Sequence, residues 1–201
     1  SLFQIVYAQS LVFDSAFGTN GMVIPQLSTS NGEYGAVITQ PDGKIITYGP
    51  LHRYSFSDYT MSRYNTDGSF DTSFGTGGSF TVFSYSDEFP SKSQLKLLPN
   101  GKILTVRSID VNPNPNLWDM VILVNRFNSD GSLDVTFANS GHYIQDYNTD
   151  LDYGFAIEIQ PDNKILVAGR SSLDALVFRL NENGTLDSSF ATAGKFIKRF
   201  I

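Results

Sequence analysis

Cysteine is absent from the 201 residues, and charged side chains are scarce. The lack of cysteine excludes a disulfide framework, a thiolate metal site and a cysteine nucleophile. Charged residues make up 17% of the sequence, which is below the usual share of ~25%. The net charge of −6 argues against nucleic acid or an anionic membrane as the main partner.

Long apolar runs are missing as well. No stretch of about 18 apolar residues occurs, so no transmembrane helix is predicted. Histidine occurs only at His52 and His142, and the sequence has neither an H-E-x-x-H pair nor a glycine-rich phosphate loop. These absences predict that the protein is not an enzyme and needs no cofactor.

Aromatic residues and glycine are abundant. The chain has 10 tyrosines, 16 phenylalanines and 17 glycines. Aromatic residues favour strands, whereas glycine, serine and asparagine favour turns. The composition therefore predicts an all-β protein with many turns.

A motif centred on a phenylalanine recurs four times. It reads FDSAFGTNG (13–21), YNTDGSFDTSFGTGG (64–78), FNSDGSLDVTFANSG (127–141) and LNENGTLDSSFATAG (180–194). A second motif alternates with the first, as QPDGKII from Gln40, LPNGKIL from Leu98 and QPDNKIL from Gln160. Both motifs share a period of about 58 residues, which indicates a tandem repeat.

The pattern of each repeat predicts four short strands. Strand one covers 22–27, 79–85, 142–147 and 195–201; strand two covers 34–40, 93–98 and 153–160; strand three covers 44–49, 102–107 and 164–169; strand four covers 59–64, 121–127 and 175–180. Within strand two, Val37, Leu95 and Ile157 take equivalent places on the drier face. The single repeat domain 1–201 then divides into a half-repeat (1–21), full units 22–78, 79–141 and 142–194, and the first strand of a further unit (195–201).

The first residues have two interpretations. Residues 1–8 fit the remnant of a secretory signal peptide, with cleavage before Gln9. The same segment aligns with strand four, because Tyr7 falls on Tyr64, and 2–7 then form a strand. The two interpretations are compatible, and both are kept.

Antiparallel four-stranded units at this spacing are typical of the blades of a β-propeller. The sequence resembles the delta-60 repeat family, a bacterial β-propeller-type repeat. The resemblance is carried by QPDGKI (40–45), RYNTDGSFDTSFGTGG (63–78), RFNSDGSLDVTF (126–137), QPDNKILVAG (160–169) and RLNENGTLDSSFATAG (179–194). It implies a propeller fold, and it implies no particular chemistry.

The number of units constrains the ring. A closed propeller needs at least about four blades. Three four-stranded blades with unpaired half-blade strands at both ends do not close a ring. We therefore expect an incomplete ring: either a fragment of a longer propeller, or a module that associates with further copies or another protein.

Loops of variable length are the predicted binding face. They lie at 28–33, 50–58, 86–92, 108–119, 148–152 and 171–174, whereas the repeated motifs lie at the opposite end, with the blade-to-blade crossover. Variable loops on a rigid scaffold are where binding sites usually lie. The predicted ligand-binding residues are His52, Arg53, Tyr54, Phe56, Phe89, Asp110, Asn112, Asn114 and Trp118.

The N-x-D-G-x-x-D turns also have two interpretations. Oxygen ligands around a glycine are typical of calcium loops, and the candidate ligands are Asn65, Asp67, Asp71, Asn128, Asp130 and Asp134. The same residue types form Asx turns. The Asx turn is favoured because the first ligand is an asparagine and no glutamate closes the loop.

Arginine and aspartate recur together. Arg63, Arg126 and Arg179 each precede an aspartate by eight residues, at Asp71, Asp134 and Asp187. This spacing predicts an ion pair in every repeat. Phe74, Phe137 and Phe190 are predicted to be wedges between blades.

These patterns favour a secreted or cell-surface module without catalytic activity, which acts as a binding or structural scaffold for a protein or a glycan. One alternative is a glycoside hydrolase or lyase that uses paired loop carboxylates, drawn from Asp87, Glu88, Asp110, Asp119 and Asp150. The other alternative is an assembly module that pairs through open blade edges.

Overall fold

The computed structural model describes residues 12–24, 31–32, 35–53, 56–85, 94–112, 117–147 and 151–199, and for 31–32, 51–53, 56–57 and 83–85 it describes the backbone alone. Strands and turns make up these ranges. Within them there is no helix with the length and apolarity that crossing a bilayer requires.

The described strands form three antiparallel sheets. The first contains β1 (Asn31–Gly32), β2 (Ala36–Thr39), β3 (Ile45–Arg53), β4 (Phe56–Tyr64) and β5 (Ser79–Tyr85). The second contains β6 (Gln94–Leu97), β7 (Ile103–Asp110), β8 (Met120–Phe127) and β9 (His142–Gln145). The third contains β10 (Asp152–Ile159), β11 (Ile165–Ser171), β12 (Asp174–Leu180) and β13 (Lys195–Lys198). Strands follow chain order in each sheet, with β1 and β2 both pairing with β3.

The three sheets meet along the strands β2, β6 and β10. β2 contacts β6, and β6 contacts β10. Leu95 and Ile157 are buried on β6 and β10, whereas the aligned Val37 on β2 is 64% exposed, which corrects its prediction as a residue of the drier face. Inner strands that converge in this way are typical of propeller blades arranged around an axis. The all-β, propeller-like architecture with three four-stranded sheets is confirmed, and the described sheets do not close a ring.

The sheets are one strand out of phase with the repeat units. β5, the predicted first strand of the unit 79–141, pairs with β4 and completes the first sheet. β13 likewise pairs with β12, so this strand is paired, and the expectation of an unpaired strand there is wrong. The phenylalanine motif therefore connects two strands of one sheet, which corrects its assignment to the crossover between blades.

The hairpins between predicted strands three and four are longer than expected. Residues 50–53 and 56–58, predicted as loop, continue β3 and β4, and the register pairs Arg53 with Phe56. In the third sheet the connection shortens to two residues, Ser172 and Leu173, with Ser172 at a φ of 51°. At the predicted strand 22–27, Met22 forms an isolated bridge with Thr19, and residues 25–27 lie outside the described residues.

Two apolar cores fill the spaces between neighbouring sheets. Between the first and second sheets they include Ile46, Tyr48, Met61, Phe74, Leu95, Ile103 and Phe127. Between the second and third sheets they include Leu104, Val106, Ile122, Val124, Phe137, Ile157, Ile165, Val167 and Phe178. Phe74 and Phe137 are fully buried, which confirms their prediction as wedges between sheets. Phe190, the third member of the series, is only partly buried.

Truncation of the motif phenylalanines is expected to cost more stability at a fully buried position than at the partly buried Phe190. Phe137→Ala should lower the free energy of unfolding by about 3–5 kcal/mol, because it removes a ring from a closed core. Phe190→Ala removes the same atoms from a site that is only partly buried, so the loss should be clearly smaller. Urea unfolding followed by circular dichroism measures both, and equal losses would contradict this packing.

Candidate functional site

The motif end of each sheet carries the same cluster of charges. In the first repeat, Arg63 Nε donates to Asp71 Oδ2 at 2.7 Å, and Lys44 Nζ donates to the same oxygen at 2.8 Å. Asp71 Oδ1 accepts from the Ser73 hydroxyl at 2.6 Å and from its N–H at 3.1 Å. The arginine plane also lies over the Phe74 ring, 4.5 Å from its centroid.

The second and third repeats reproduce this cluster. Arg126 and Lys102 bind Asp134 at 2.6 and 2.7 Å. Arg179 and Lys164 bind Asp187 at 2.8 and 3.0 Å. The predicted Arg–Asp pairs are thereby confirmed, and each pair gains a lysine from the turn that immediately precedes β3, β7 or β11.

These contacts hold the carboxylates in their charged form. Hydrogen bonds from Lys44 and Ser73 lower the pKa of Asp71 well below its usual range. Burial alone would raise the pKa of Asp134, but hydrogen bonds from Lys102, Thr136 and Arg126 lower it well below the usual range. The pKa of Asp187 is lowered in the same way, chiefly by hydrogen bonds from Ser189 and then Lys164.

The cluster also binds the next repeat. Arg63 Nη1 donates to the carbonyl of Ser129 at 2.6 Å, and the N–H of Gly75 donates to the carbonyl of Asp130 at 3.1 Å. One repeat later, Arg126 donates to the Glu182 carbonyl and Ala138 donates to the Asn183 carbonyl. We call the arginine, the phenylalanine and the N–H that follows the phenylalanine the turn clamp.

The turn that each clamp binds has a glycine at the point of contact between the two repeats. A Cβ on Gly131 would lie 2.7 Å from the Phe80 ring and 3.2 Å from the Phe74 ring, at a φ of +91°. Gly184 stands in the same position against Phe137 and Ala138, at a φ of +87°. A larger residue would clash with Phe80 at position 131 and with Phe137 at position 184, so the glycine of each turn is needed where the turn docks.

The candidate calcium ligands are used inside these turns. Asp67 Oδ1 accepts from the N–H and the hydroxyl of Ser69 at 2.9 and 2.7 Å, and Asn65 Nδ2 donates to that hydroxyl at 3.0 Å. Asn128, Asp130 and Ser132 repeat the pattern. Asp71 and Asp134 point into the charge clusters, towards two cationic side chains each. Within the described ranges no three acidic or histidine side chains lie together as metal ligands.

Calcium is therefore expected to leave the protein unchanged. A bound ion would have to displace a lysine and an arginine from Asp71, and each of those contacts is a charge-assisted hydrogen bond. Isothermal calorimetry after chelator treatment should show no binding heat, and the melting temperature should not move. A saturable heat that disappears in Asp67→Asn would contradict the Asx-turn interpretation.

Acid is expected to weaken the fold through the same carboxylates. A carboxyl whose pKa is lowered in the folded state contributes stability that is complete above its unfolded pKa of about 4 and is lost as pH falls towards its folded pKa. Urea midpoints should therefore decline from about pH 5 to pH 2. Asp134→Asn should cost about 1.5–3 kcal/mol at pH 7 and flatten this decline. A variant with an unchanged pH profile would show that the cluster does not act in this way.

A set of hydrogen bonds joins the two strands β7 and β8 at the opposite end of the second sheet, where the loop between them begins and ends. Asp110 Oδ1 accepts from the N–H groups of Asn112 and Asp119, both at 2.9 Å, and the Val111 N–H donates to the Asp119 carbonyl at 2.9 Å. Asp110 itself is buried. Within the loop Trp118 is 42% exposed and Leu117 is 57% exposed.

The predicted ligand-binding residues are only partly brought together. Asp110, Asn112 and Trp118 belong to the loop just described, with Asp110 at its start. His52, Arg53 and Phe56 lie on the strands β3 and β4, and their side chains are outside the described residues; so are Tyr54, Phe89 and Asn114. Of the five candidate carboxylates, Asp87, Glu88 and Asp150 also lie outside them.

Sequence reasoning missed a buried arginine. Arg107 is 1% exposed between the first two sheets, and its guanidinium lies 4.8 Å from the centroid of the Tyr59 ring. Burial raises the pKa of the neighbouring Tyr48 to about 12. The repeat contained a signal, because Gly49 and Gly169 stand at the aligned positions, so Arg107 departs from the pattern.

Comparison with protein families agrees with this architecture. The chain is similar to the family described as "Domain of unknown function (DUF5122) beta-propeller" over residues 40–74, 122–137 and 160–190. Each matched range contains a large part of one phenylalanine motif, and together they support a β-propeller repeat. No curated protein matches the chain.

Proposed function

We propose that this β-propeller repeat protein is a non-catalytic binding or structural scaffold, secreted or at the cell surface. Its partner is a protein or a glycan held by the loops opposite the repeat motifs. We also infer that the repeat is of the delta-60 type, because the family match covers much of the sequence that carries this resemblance.

The observation that carries the proposal is the presentation of Leu117 and Trp118. Both are exposed, and the N–H groups of Asn112 and Asp119, on either side of the loop, donate to Asp110 Oδ1. A large aromatic side chain on an ordered loop contributes contact area at little cost in conformational entropy. Tryptophan is also among the residues that dominate binding energies when a partner covers them.

The third sheet also has an exposed apolar residue at the loop end. Leu173 lies in the two-residue turn between β11 and β12, and it is 79% exposed. The motif end, in contrast, uses Arg63, Arg126 and the turn carbonyls for contacts between repeats, and its aspartates for ion pairs within each repeat. Exposed apolar side chains of the hairpins that vary in length therefore lie at the loop end, which supports a scaffold that holds a partner there.

Asp110 fits this role better than it fits catalysis. Its Oδ1 accepts two backbone N–H groups and braces the loop. A carboxylate that holds its own loop together is poorly placed to protonate a glycosidic oxygen or to attack a sugar carbon. This supports the non-catalytic proposal over a glycoside hydrolase or lyase.

The loop can be tested directly, because Trp118 is the single tryptophan of the chain. We expect a glycan array to show bound glycans, and titration with such a glycan to shift the Trp118 emission to the blue. Trp118→Ser should weaken binding by roughly 10- to 100-fold, which corresponds to about 1.4–2.8 kcal/mol. Ile144→Ser, an exposed apolar residue on β9, is the matched control.

If the partner is a protein, a second experiment is needed. Quantitative pull-down from the extracellular fraction of the producing cells should enrich one protein on the wild type and on Ile144→Ser. The same protein should be lost on a double variant, Leu117→Ser with Trp118→Ser. A failure to find any ligand that depends on Trp118 in either arm would contradict the proposal.

A further inference from the structure

A cavity of about 750 Å³ lies beside β9, the edge strand of the second sheet. Ile109 of β7, Leu123 of β8 and Ile144 of β9 line it with aliphatic side chains. Tyr143 of β9 and Leu186, from the turn of the third repeat, add further apolar surface. Cavities of this volume and lining are typical of sites that hold small molecules.

The floor of the cavity is separate from the two apolar cores between the sheets. Ile109 and Leu123 form a third, small cluster with Val121, and all three are buried. Ile144 pairs with Leu123 across the strands and is 53% exposed. A buried aliphatic floor with an exposed aliphatic rim leaves apolar surface that a ligand can remove from water.

One histidine belongs to this apolar lining. His142 borders the cavity, and its Nδ1 lies 2.7 Å from Nδ2 of Asn125 on the neighbouring strand β8. An amide nitrogen can only donate, so Nδ1 accepts, and a neutral ring then carries its proton on Nε2. Burial lowers the pKa of His142, and the charge of Arg107 lowers it further. At pH 7 the ring is therefore neutral, and the Nε2–H is the donor that it can offer to a ligand.

Asn125 holds this histidine at a cost to the fold. It is 2% exposed, and its Oδ1 has no hydrogen-bond partner among the described residues. A buried carbonyl oxygen without a partner is destabilising. An asparagine at this position is therefore better explained by its contact with His142 than by packing.

The second repeat departs from the other two at each of these positions. The aligned residues are Ser62 and Phe178 for Asn125, Ser79 and Lys195 for His142, and Gly49 and Gly169 for Arg107. The three departures lie on one face of one sheet, because Asn125 pairs with His142 and both Arg107 and Ile144 pair with Leu123. Local departures from a regular pattern that reduce stability are typical of functional sites.

The charges around the cavity favour an anionic ligand. The described lining contains neither aspartate nor glutamate. Arg107 is 1% exposed in the same row of the sheet as Leu123 and Ile144, and its charge acts on His142. A carboxylate in the cavity would accept a charge-assisted hydrogen bond from the Nε2–H and would be attracted by this fixed positive charge.

We propose that this cavity binds a small organic carboxylate with an apolar tail. The carboxylate accepts from His142 Nε2, and the tail covers Ile109, Leu123 and Ile144. Asn125 fixes the orientation of the ring through its bond to Nδ1. The site does not depend on the partner proposed for the loop end, so each can be tested without the other.

Octanoate is the probe, with octanamide as the control for its charge and acetate as the control for its tail. Calorimetry at pH 7 should show saturable binding of octanoate with a Kd of roughly 10 µM to 1 mM, in keeping with its size. Octanamide should bind at least about fivefold more weakly, because it has no negative charge. Acetate should show no binding in the same range, because it covers none of the apolar floor.

Exposed and repeat-derived substitutions test the site without unfolding the chain. His142→Ser introduces the residue found at the aligned position 79 and removes the donor, so octanoate should bind roughly 10-fold more weakly. Ile144→Trp fills the rim of the cavity and should abolish binding. Val135→Ser changes an exposed apolar residue outside the lining and should bind as the wild type does. Melting temperatures establish that each variant is folded.

Proton NMR locates the ligand independently of affinity. The chain has two histidines, His52 and His142, so the imidazole signals that disappear in His142→Ser are assigned to position 142. Octanoate should shift these signals as it saturates the site and leave those of His52 unchanged.

Several results would overturn the proposal. A wild type that shows no saturable binding of octanoate up to about 10 mM excludes the site, since such a Kd is below any useful affinity. Equal binding of octanamide shows that the cavity does not recognise a carboxylate. Binding that survives in both His142→Ser and Ile144→Trp, or that leaves the His142 signals unmoved, places the ligand elsewhere on the protein.

Discussion

The contact between an arginine and the next repeat's turn organises this molecule. The guanidinium binds the aspartate of its own motif, stacks on the motif phenylalanine and donates to a carbonyl one repeat further on. One side chain thereby couples the turn within a sheet to the packing between sheets. Because the guanidinium is planar and carries five N–H donors, lysine could not take its place. The lysine that is present adds charge to the aspartate from the other side.

Because of this coupling, the two ends of the molecule differ in how far their sequence and loop length can vary. At the motif end, Arg63 and Arg126 bind the turn carbonyls of the following repeat, and Gly131 and Gly184 leave no room for a larger side chain. At the loop end, the hairpins differ in length from one sheet to the next, and exposed apolar side chains stand on them. The repeat thus specifies the scaffold once and leaves the opposite end open to specialisation.

The sequence predicts much of the fold because the repeat supplies several aligned copies of each element. Three sheets, their turns and the Arg63–Asp71 type of pair follow from periodicity and turn chemistry. The phase of the sheets does not, since a strand such as β5 can pair with either neighbour until the register is known. Side-chain placement is less predictable still: Arg107 and the Asp110 brace depend on burial and backbone geometry, which local spacing does not encode.

The offset between repeat and sheet has a consequence for how such chains grow. Every sheet takes its last strand from the start of the following repeat, so duplication of one whole period adds one complete sheet wherever the recombination junction falls. The isolation of a single repeat is more restricted. A segment that is cut at the phenylalanine motif loses the hydrogen bonds between the last two strands of a sheet, such as β4 and β5 or β8 and β9. An autonomous fragment would have to begin just before β6 and finish just after β9.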